Sequence, residues 1–465
     1  MDTENPPLIP EFYFTYEKIV PSERLALSQL ATEWSDIGQP LKNQNICFNG
    51  HLTLATIILI DILILAGATL TVTSTPNLVT HGEIHDLLVS MSKKYKNIHY
   101  FPKGTIPQSQ HKDYFDIIID CGAGLLDLGI IPKSGCVELT RTEKYKKEKL
   151  VYPVISVDET ITKVIETFFG TGDGFCKALC KNFLNEPMLS KQEQDSLYHQ
   201  YRTFLIMPRP KNMKDHLPRK LQKKFKQLQQ KHFIIFGYGK VGKGIAYNLE
   251  LHGIQRGNIL IVDIKNEACN QARNDGYEAI QLTVENLTLI KQKINSCDYV
   301  VTATGVEACV SEWFTAHDFQ GIRKFNMGTP NEWGNKFNIQ DIFNNANPAN
   351  FCEEYPTQVK FLDPIFTILL IATRYIILTH ENLKPGFQGL PKEKDILTIA
   401  YWTFNHPEYR EKVYKLISEE NRVWFNHEIR CLQLKKDQLL KEFLVEKTSN
   451  NTTKRVPHPL IRATA

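Results

Sequence analysis

A chain of 465 residues is too long for a single compact core, so we expect two or three domains. The apolar fraction of 42%, the charged fraction of 23% and the formal net charge of +4 are those of an ordinary globular protein and do not favour a nucleic-acid partner. The ten cysteines form no CxxC pair and no Cys/His cluster at zinc spacing, and the first residues lack a secretory signal. These features predict a cytoplasmic protein without a metal site.

The first marked element is the apolar stretch Leu52–Val72, which is long enough to suggest a membrane span. Asp61 lies at its centre, where an acidic side chain is costly in lipid, and Gly67 interrupts the run before a β-branched stretch. We therefore predict a buried helix, a glycine stop and a buried strand, and no membrane partner.

Helical and strand patterns alternate along the chain, which predicts an α/β fold. Several short apolar runs end in turn residues or acids, as parallel strands covered on both faces do. These runs are Phe115–Asp120, His232–Gly237, Asn258–Asp263 and Asp298–Gly305.

The segment Pro208–Lys231 carries nine Lys or Arg residues against one Asp. We interpret it as a solvated linker and helix that leads into the following domain. The alternative interpretation, a surface for an anionic partner, stays open.

A glycine-rich turn follows the apolar run that begins at His232. Gly237, Gly239 and Gly242 form G-x-G-x-x-G between a strand and a helix, the pattern that cradles a pyrophosphate in a Rossmann domain. Asp263 ends the next strand, where a carboxylate binds the adenosine ribose and repels a 2′-phosphate. The sequence therefore predicts a doubly wound parallel-sheet cofactor domain that binds NAD. Lys240 and Val241 lie within the turn and are predicted to contact the cofactor.

The turn sequence "GYGKVGKG" resembles the "GYGxVGKG" turn of the S-adenosylhomocysteine hydrolase family. The likeness extends over about Gln39–Gly328 and includes the blocks "PVISVDETITKVIETFFGTGDGF", "DYVVTATG" and "KFNMG". It implies an α/β substrate domain, a cofactor domain, and a return of the chain to the first domain. The expected domains are residues 1–190 (substrate domain, first part), 191–231 (basic insertion), 232–350 (NAD-binding domain) and 351–465 (return and divergent C-terminal region).

The resemblance also implies a chemistry. In that family, bound NAD⁺ oxidises the 3′-hydroxyl of a nucleoside, the ketone acidifies the C4′ proton, homocysteine leaves, water adds and the hydride returns. Carried over by position, the implied catalytic residues are His51, Lys163 and Glu166. The implied substrate-binding residues are Thr53, Glu138 and Cys121. The implied further cofactor contacts are Thr140, Thr142, Thr304 and Asn326.

Several positions depart from the family pattern. Cys121 replaces an essential carboxylate, Leu139 stands at a substrate-binding glutamate, and Thr329 replaces a histidine. Three hypotheses follow: an NAD-dependent enzyme that oxidises a secondary hydroxyl of a nucleoside-like substrate with altered elimination chemistry, a non-catalytic or regulatory NAD-binding homologue, and a working hydrolase in which Asp120 takes the role lost at Cys121. The family also implies a homo-oligomer, either a dimer or a tetramer.

Overall fold

The computed structural model describes Ile19 and residues 21–184 and 226–449, with side chains described as far as residue 435. The basic segment Pro208–Lys231 therefore lies mostly outside the described residues. The chain forms two compact units: unit 1 is Met1–Ile165 with Val359–Ala465, and unit 2 is Glu166–Gln358.

The strands and helices alternate along most of the described chain. The strands are β1 (Asn45–Asn49), β2 (Thr69–Ser74), β3 (Ile98–Pro102), β4 (Ile117–Asp120), β5 (Gly135–Glu138), β6 (Pro153–Ser156), β7 (Phe233–Phe236), β8 (Ile259–Asp263), β9 (Glu278–Gln281), β10 (Tyr299–Thr302), β11 (Arg323–Asn326) and β12 (Gly386–Gly389). The helices are α1 (Leu25–Asp36), α2 (Leu54–Leu65), α3 (Gly82–Lys94), α4 (Gly124–Asp127), α5 (Thr142–Lys147), α6 (Ile161–Val164), α7 (Gly172–Leu184), α8 (Lys240–Leu251), α9 (Asn266–Asn274), α10 (Leu287–Asn295), α11 (Cys309–Trp313), α12 (Val359–Thr379), α13 (Lys392–Asn405), α14 (Arg410–Leu416) and α15 (Glu419–Ser449).

Unit 1 is built on a seven-stranded parallel sheet of order β12-β6-β5-β4-β1-β2-β3. Strand β12 comes from the C-terminal part of the chain and pairs with β6, so that part completes the first sheet. Helix α12 packs in the core, where both carboxylate oxygens of Asp363 accept hydrogen bonds at 2.9 Å from the backbone of Ala26 and Leu27 at the start of α1.

The apolar stretch near the N-terminus folds as predicted. Helix α2 is followed by Gly67 with a φ of +92°, and then by the buried strand β2. At 12 residues α2 is shorter than a membrane span. Within the described residues one helix, Val359–Asn382, is long and apolar enough to cross a membrane. Its 18-residue apolar window has a mean hydropathy of 1.8, and 67% of that window is buried in the fold.

Unit 2 is built on a five-stranded parallel sheet of order β11-β10-β7-β8-β9, the doubly wound arrangement predicted from the sequence. Successive residues of β7 enter different apolar clusters: Phe233 and Ile235 pack on one face, and Ile234 and Phe236 pack on the other. Because both faces are covered, the strands appear in the sequence as continuous apolar runs.

The division of the chain differs from the expected boundaries at residues 190 and 350. Helix α7 was expected in the first domain, but it belongs to unit 2 because it packs closely on α8. The contact depends on glycine: a Cβ on Gly172 would lie 2.4 Å from the carbonyl oxygen of Gly244. Unit 2 thus begins at Glu166, within the π-helical segment Ile165–Thr171.

Candidate functional site

The glycine-rich turn lies at the carboxyl end of β7, and two of its glycines are required by packing. Gly237 has a φ of +95°, and a Cβ there would lie 2.6 Å from the carbonyl oxygen of Ala303. A Cβ on Gly242 would lie 2.0 Å from the carbonyl oxygen of Gly237. Gly239 differs, because a Cβ there would meet no atom within 4 Å. Because Gly239 has no side chain, the space in front of the following helix stays open.

Helix α8 begins directly behind this space. Gly239 is its N-cap, so no side chain caps the first turn, and Gly239 and Lys240 are exposed. Val241 is half-buried. The uncapped amides and the positive end of a 12-residue helix face the open space, which fits a phosphate group.

Asp263 lies at the end of β8, beside β7. Its Oδ2 accepts a hydrogen bond of 2.8 Å from the backbone amide of Tyr238, and its Oδ1 accepts one of 2.8 Å from the amide of Lys265. The half-buried carboxylate therefore fixes the turn. Each oxygen can accept a second hydrogen bond, so the same carboxylate can also bind ribose hydroxyls.

Two predicted cofactor contacts lie at the ends of β10 and β11. Thr304 is half-buried, and its hydroxyl lies 3.1 Å from Cys309 Sγ. Asn326 is fully buried, and its Oδ1 accepts hydrogen bonds from Thr302 Oγ1 and from the amide of Glu332. Its Nδ2 faces three backbone carbonyls: those of Gly328, Pro330 and Ala346. The amide of Asn326 is thus occupied in holding the loop that follows β11.

Glu332, on that loop, was not identified from the sequence. Its side chain is fully buried, and its Oε1 accepts a hydrogen bond from the amide of Gly305. Its Oε2 is buried without a hydrogen-bond partner among the described residues. Burial raises the pKa of Glu332 to about 7, although its hydrogen bonds act in the opposite direction. The available signal was an acid in the otherwise uncharged stretch between Lys324 and Lys336.

A second polar site lies at the carboxyl edge of the sheet in unit 1. The last residues of four adjacent strands are directly paired there: Asn49, Asp120, Glu138 and Ser156. Glu138 is fully buried, and its Oε2 accepts hydrogen bonds from Ser156 Oγ at 2.7 Å and Thr142 Oγ1 at 3.1 Å. Its Oε1 is buried without a hydrogen-bond partner among the described residues.

The protonation of Glu138 depends on its neighbours. Burial, and then the charge of Asp158, raise the pKa of Glu138 to about 7, and Lys163 acts in the opposite direction. The hydroxyl of Thr142 lies within 3.1 Å of Glu138 and 3.0 Å of Asp158, but it has one proton to donate. Glu138 can therefore carry a proton near neutral pH.

His51 and Lys163 belong to the same site. The buried Lys163 follows Thr160, whose hydroxyl caps α6 by accepting from the amide of Lys163 at 3.1 Å. Burial, and then the charges of Lys163 and His81, lower the pKa of His51 to about 3. Because Nδ1 of the neutral ring accepts from the amide of Val79 at 3.1 Å, the proton is on Nε2.

Other predicted residues have local roles. Thr53 is the N-cap of α2 and pairs with Thr56. Thr140 is half-buried, whereas Thr142 belongs to the Glu138 network.

Glu166 belongs to unit 2, where it accepts a hydrogen bond from the hydroxyl of Thr171 at 3.1 Å.

The neighbouring acid Asp120 is engaged inside unit 1. Its Oδ1 accepts from Asn49 Nδ2 at 2.8 Å. Its Oδ2 accepts from Tyr145 and from the amides of Leu125 and Leu126 at the start of α4. Cys121, which follows it, is a buried free thiol. Within the described residues no cluster of three or more His, Cys, Asp or Glu suits a metal ion.

Fold and turn together define an α/β protein with a Rossmann domain for a nucleotide cofactor. The family model of the TrkA-N domain matches residues 233–312, which contain the turn and Asp263. Over 413 residues the chain is 20% identical to the S-inosyl-L-homocysteine hydrolase of Methanocaldococcus jannaschii, covering 78% of this chain and 84% of that protein. The sequence resemblance thus has a distant counterpart in an enzyme across most of the chain.

Solved structures match the chain at low similarity. A dipicolinate synthase from Bacillus halodurans is 9% identical with a TM-score of 0.33, covering 72% of this chain and 98% of that chain. The D-mandelate dehydrogenase of Rhodotorula graminis is 12% identical with a TM-score of 0.29, covering 61% of this chain and 74% of that chain. Sequence identities and TM-scores this low do not indicate a shared function.

Proposed function

We propose that this protein is an NAD-dependent enzyme that oxidises a secondary hydroxyl of a nucleoside-like substrate. The observation that carries the proposal is the polar site of unit 1, where Lys163 acts electrostatically on both Glu138 and His51. A fold alone does not require a buried lysine, a carboxyl that holds a proton and a neutral imidazole at one sheet edge. The distant similarity to an S-inosyl-L-homocysteine hydrolase supports a nucleoside thioether as the substrate class.

The residues of unit 2 fit NAD. The open space at Gly239 and the uncapped start of α8 suit the pyrophosphate, and the carboxylate of Asp263 suits an unphosphorylated ribose. Thr304, which follows β10, would contact the nicotinamide half. When bound, the nicotinamide would supply a hydride acceptor for the carbon that carries the hydroxyl.

The residues of unit 1 would handle the protons. In its neutral amine form, Lys163 would accept the proton of the substrate hydroxyl as the hydride leaves, and it would become the ammonium cation. Oε1 of Glu138, which has no hydrogen-bond partner among the described residues, would bind a sugar hydroxyl, and His51 would donate from Nε2. Cys121 and Leu139 supply no carboxylate for the elimination that follows in the resembling family, so we expect oxidation without efficient release of a thiol.

Two other functions are distinguishable. A working S-adenosylhomocysteine hydrolase would need Asp120 in place of Cys121, but both oxygens of Asp120 are engaged with other groups of unit 1. A regulatory NAD-binding protein is favoured by the loss of acids at Cys121 and Leu139. It would hold dinucleotide and nucleoside without turnover.

The experiment begins with the protein as isolated, whose bound dinucleotide is identified by mass spectrometry after gentle denaturation. NADH absorbance and free thiol are then followed after addition of S-adenosylhomocysteine, S-inosylhomocysteine or the free nucleosides. NADH without matching thiol supports the proposal, thiol release supports the hydrolase, and dinucleotide without either signal supports the regulatory protein. K163M should abolish the NADH signal, whereas K133M, which changes an exposed lysine paired with Asp116, should keep it.

We further propose that the protein acts in the cytoplasm as a homo-oligomer, a dimer or a tetramer, as the family resemblance implies. Light scattering coupled to size-exclusion chromatography measures the oligomer directly. A monomer at micromolar concentration would contradict this part of the proposal.

A further inference from the structure

The buried side chain of Glu332 lies beside the C-terminal ends of β10 and β11. Oε1 of Glu332 binds the amide of Gly305, and a Cβ on Gly328 would lie 2.0 Å from that same oxygen. The carboxyl group therefore fits between the loops that follow the two strands. The other oxygen, Oε2, is buried and has no hydrogen-bond partner among the described residues. Burial makes a carboxylate costly here even though hydrogen bonds from Thr302, Thr304 and Gly305 favour its charged form, so a nearby positive charge would stabilise it further.

The order of the sheet places Glu332 toward the nicotinamide half of a bound dinucleotide. Strand β8, which carries Asp263, lies on one side of β7, and β10 and β11 lie on the other. If Asp263 binds the adenosine ribose and the start of α8 binds the pyrophosphate, the nicotinamide extends over β10 and β11. This step rests on the proposed function. The oxidised nicotinamide ring is a cation, and its charge would act on Glu332 through a water-poor interior.

Three other ionisable groups lie near Glu332 in the described part of unit 2. Cys309 on α11 contacts the backbone of Glu332, and burial raises the pKa of its thiol to about 11. Glu312 on the same helix is exposed. Lys336 donates to the carbonyl oxygen of Ser311. Burial raises the pKa of Glu332 to about 7 and does the same to Glu138 in unit 1, so the experiment must distinguish these two carboxyl groups.

We propose that Glu332 couples the redox state of the bound nicotinamide to the uptake of one proton. Hydride transfer from the substrate carbon would add two electrons and one proton to the ring as one hydride and so remove its positive charge. The carboxylate then loses its compensating charge and binds a proton from solvent at Oε2. No bond to Glu332 other than this O–H bond forms or breaks, and the reverse reaction releases the proton. Glu332 thus acts as a positioning residue for the loop at Gly305 and as a charge balance for the cofactor.

The first test measures affinity as a function of pH. Dissociation constants for NAD⁺ and NADH are measured by calorimetry on the full chain, freed of bound dinucleotide, between about pH 6 and pH 8. Because the carboxylate favours the cation, the affinity for NAD⁺ relative to NADH should rise about three- to tenfold with pH in the natural protein. The rise should persist in E312Q, which removes an exposed acid, and should be absent in E332Q. A purely structural role of Glu332 would leave the ratio independent of pH in all three proteins.

The second test does not depend on the folding of E332Q. It is made on the natural protein and on E138Q, which removes the other carboxyl group with a pKa of about 7, and the difference in proton uptake should be present in both. Binding enthalpies in buffers of different ionisation enthalpy give the number of protons taken up with each dinucleotide. Near pH 7 the natural protein should take up more protons on binding NADH than on binding NAD⁺. Equal proton numbers with both ligands bound would overturn the inference and leave the proposed function intact. Failure of both dinucleotides to bind would overturn the two together.

Discussion

The carboxylate of Asp263 accepts a hydrogen bond of 2.8 Å from the backbone amide of Tyr238, the residue between the first two glycines of the turn. The pairing joins the end of β8 to the turn after β7, so the proposed ribose site and the proposed phosphate site are held in one geometry. The side chain of Tyr238 continues into the core, where its hydroxyl donates to Asp275 at 3.0 Å. The turn is therefore fixed from both sides before any ligand binds.

We expect D263N to weaken NAD binding by about tenfold, because a hydrogen bond to a charged group contributes about 1.5–3 kcal/mol and the neutral amide supplies less. Removal of the negative charge should also reduce the preference for NAD over NADP. Dissociation constants for both dinucleotides measure the two effects. The control E285Q, which changes an exposed acid of the same unit, should bind like the natural protein. Unchanged preference in D263N would contradict the ribose role of Asp263.

Two glycine substitutions in the turn should separate folding from binding. In G242A the new Cβ would collide with the backbone carbonyl of Gly237, so we expect unit 2 to lose about 1–3 kcal/mol of stability. In G239A the new methyl group enters open space, so stability should be unchanged and dinucleotide affinity should fall. Thermal unfolding and calorimetry distinguish the two variants. A stable G242A that binds normally, or a G239A with unchanged affinity, would argue against this geometry.

The local elements of both units could be predicted from the sequence because their signals are local. The glycine turn, the strand before it and Asp263 follow from spacing, and the stop at Gly67 follows from the limited conformations of other residues at positive φ. The position of Glu332 could not be predicted, since its burial depends on a loop closing over Gly305. The hydrogen bonds of Asp120 could not be predicted either. Its position at the end of a strand was clear, but its carboxylate accepts hydrogen bonds from Asn49 and Tyr145, which are remote in sequence.

The stability contributed by Glu138 should depend on pH. Its pKa is raised from the ordinary 4.5 to about 7 in the folded protein, so the folded state binds the proton more tightly than the unfolded state. Its contribution is fully present below about pH 4.5 and is lost as pH rises through about pH 7, with a total on the order of 3 kcal/mol. The free-energy difference between the natural protein and E138Q should therefore shift in favour of E138Q between pH 5 and pH 7.5, roughly the interval between the two pKa values. The exposed variant E143Q serves as the control, and a difference independent of pH would contradict the raised pKa.

Asp120 and Cys121 are neighbours with different predicted roles, and paired substitutions test them. D120A removes the acceptor for Asn49, Tyr145 and the start of α4, so we expect a loss of about 3–5 kcal/mol in stability of unit 1. C121S replaces a buried thiol that is not assigned to proton transfer with a smaller, more polar hydroxyl, so we expect a loss of about 1–3 kcal/mol in stability and little change in the formation of bound NADH. Urea unfolding measures the first effect, and NADH absorbance after addition of nucleoside measures the second. If C121S abolishes NADH formation while the protein stays folded, the thiol takes part in the chemistry and the assignment of proton transfer to Lys163 and Glu138 is incomplete.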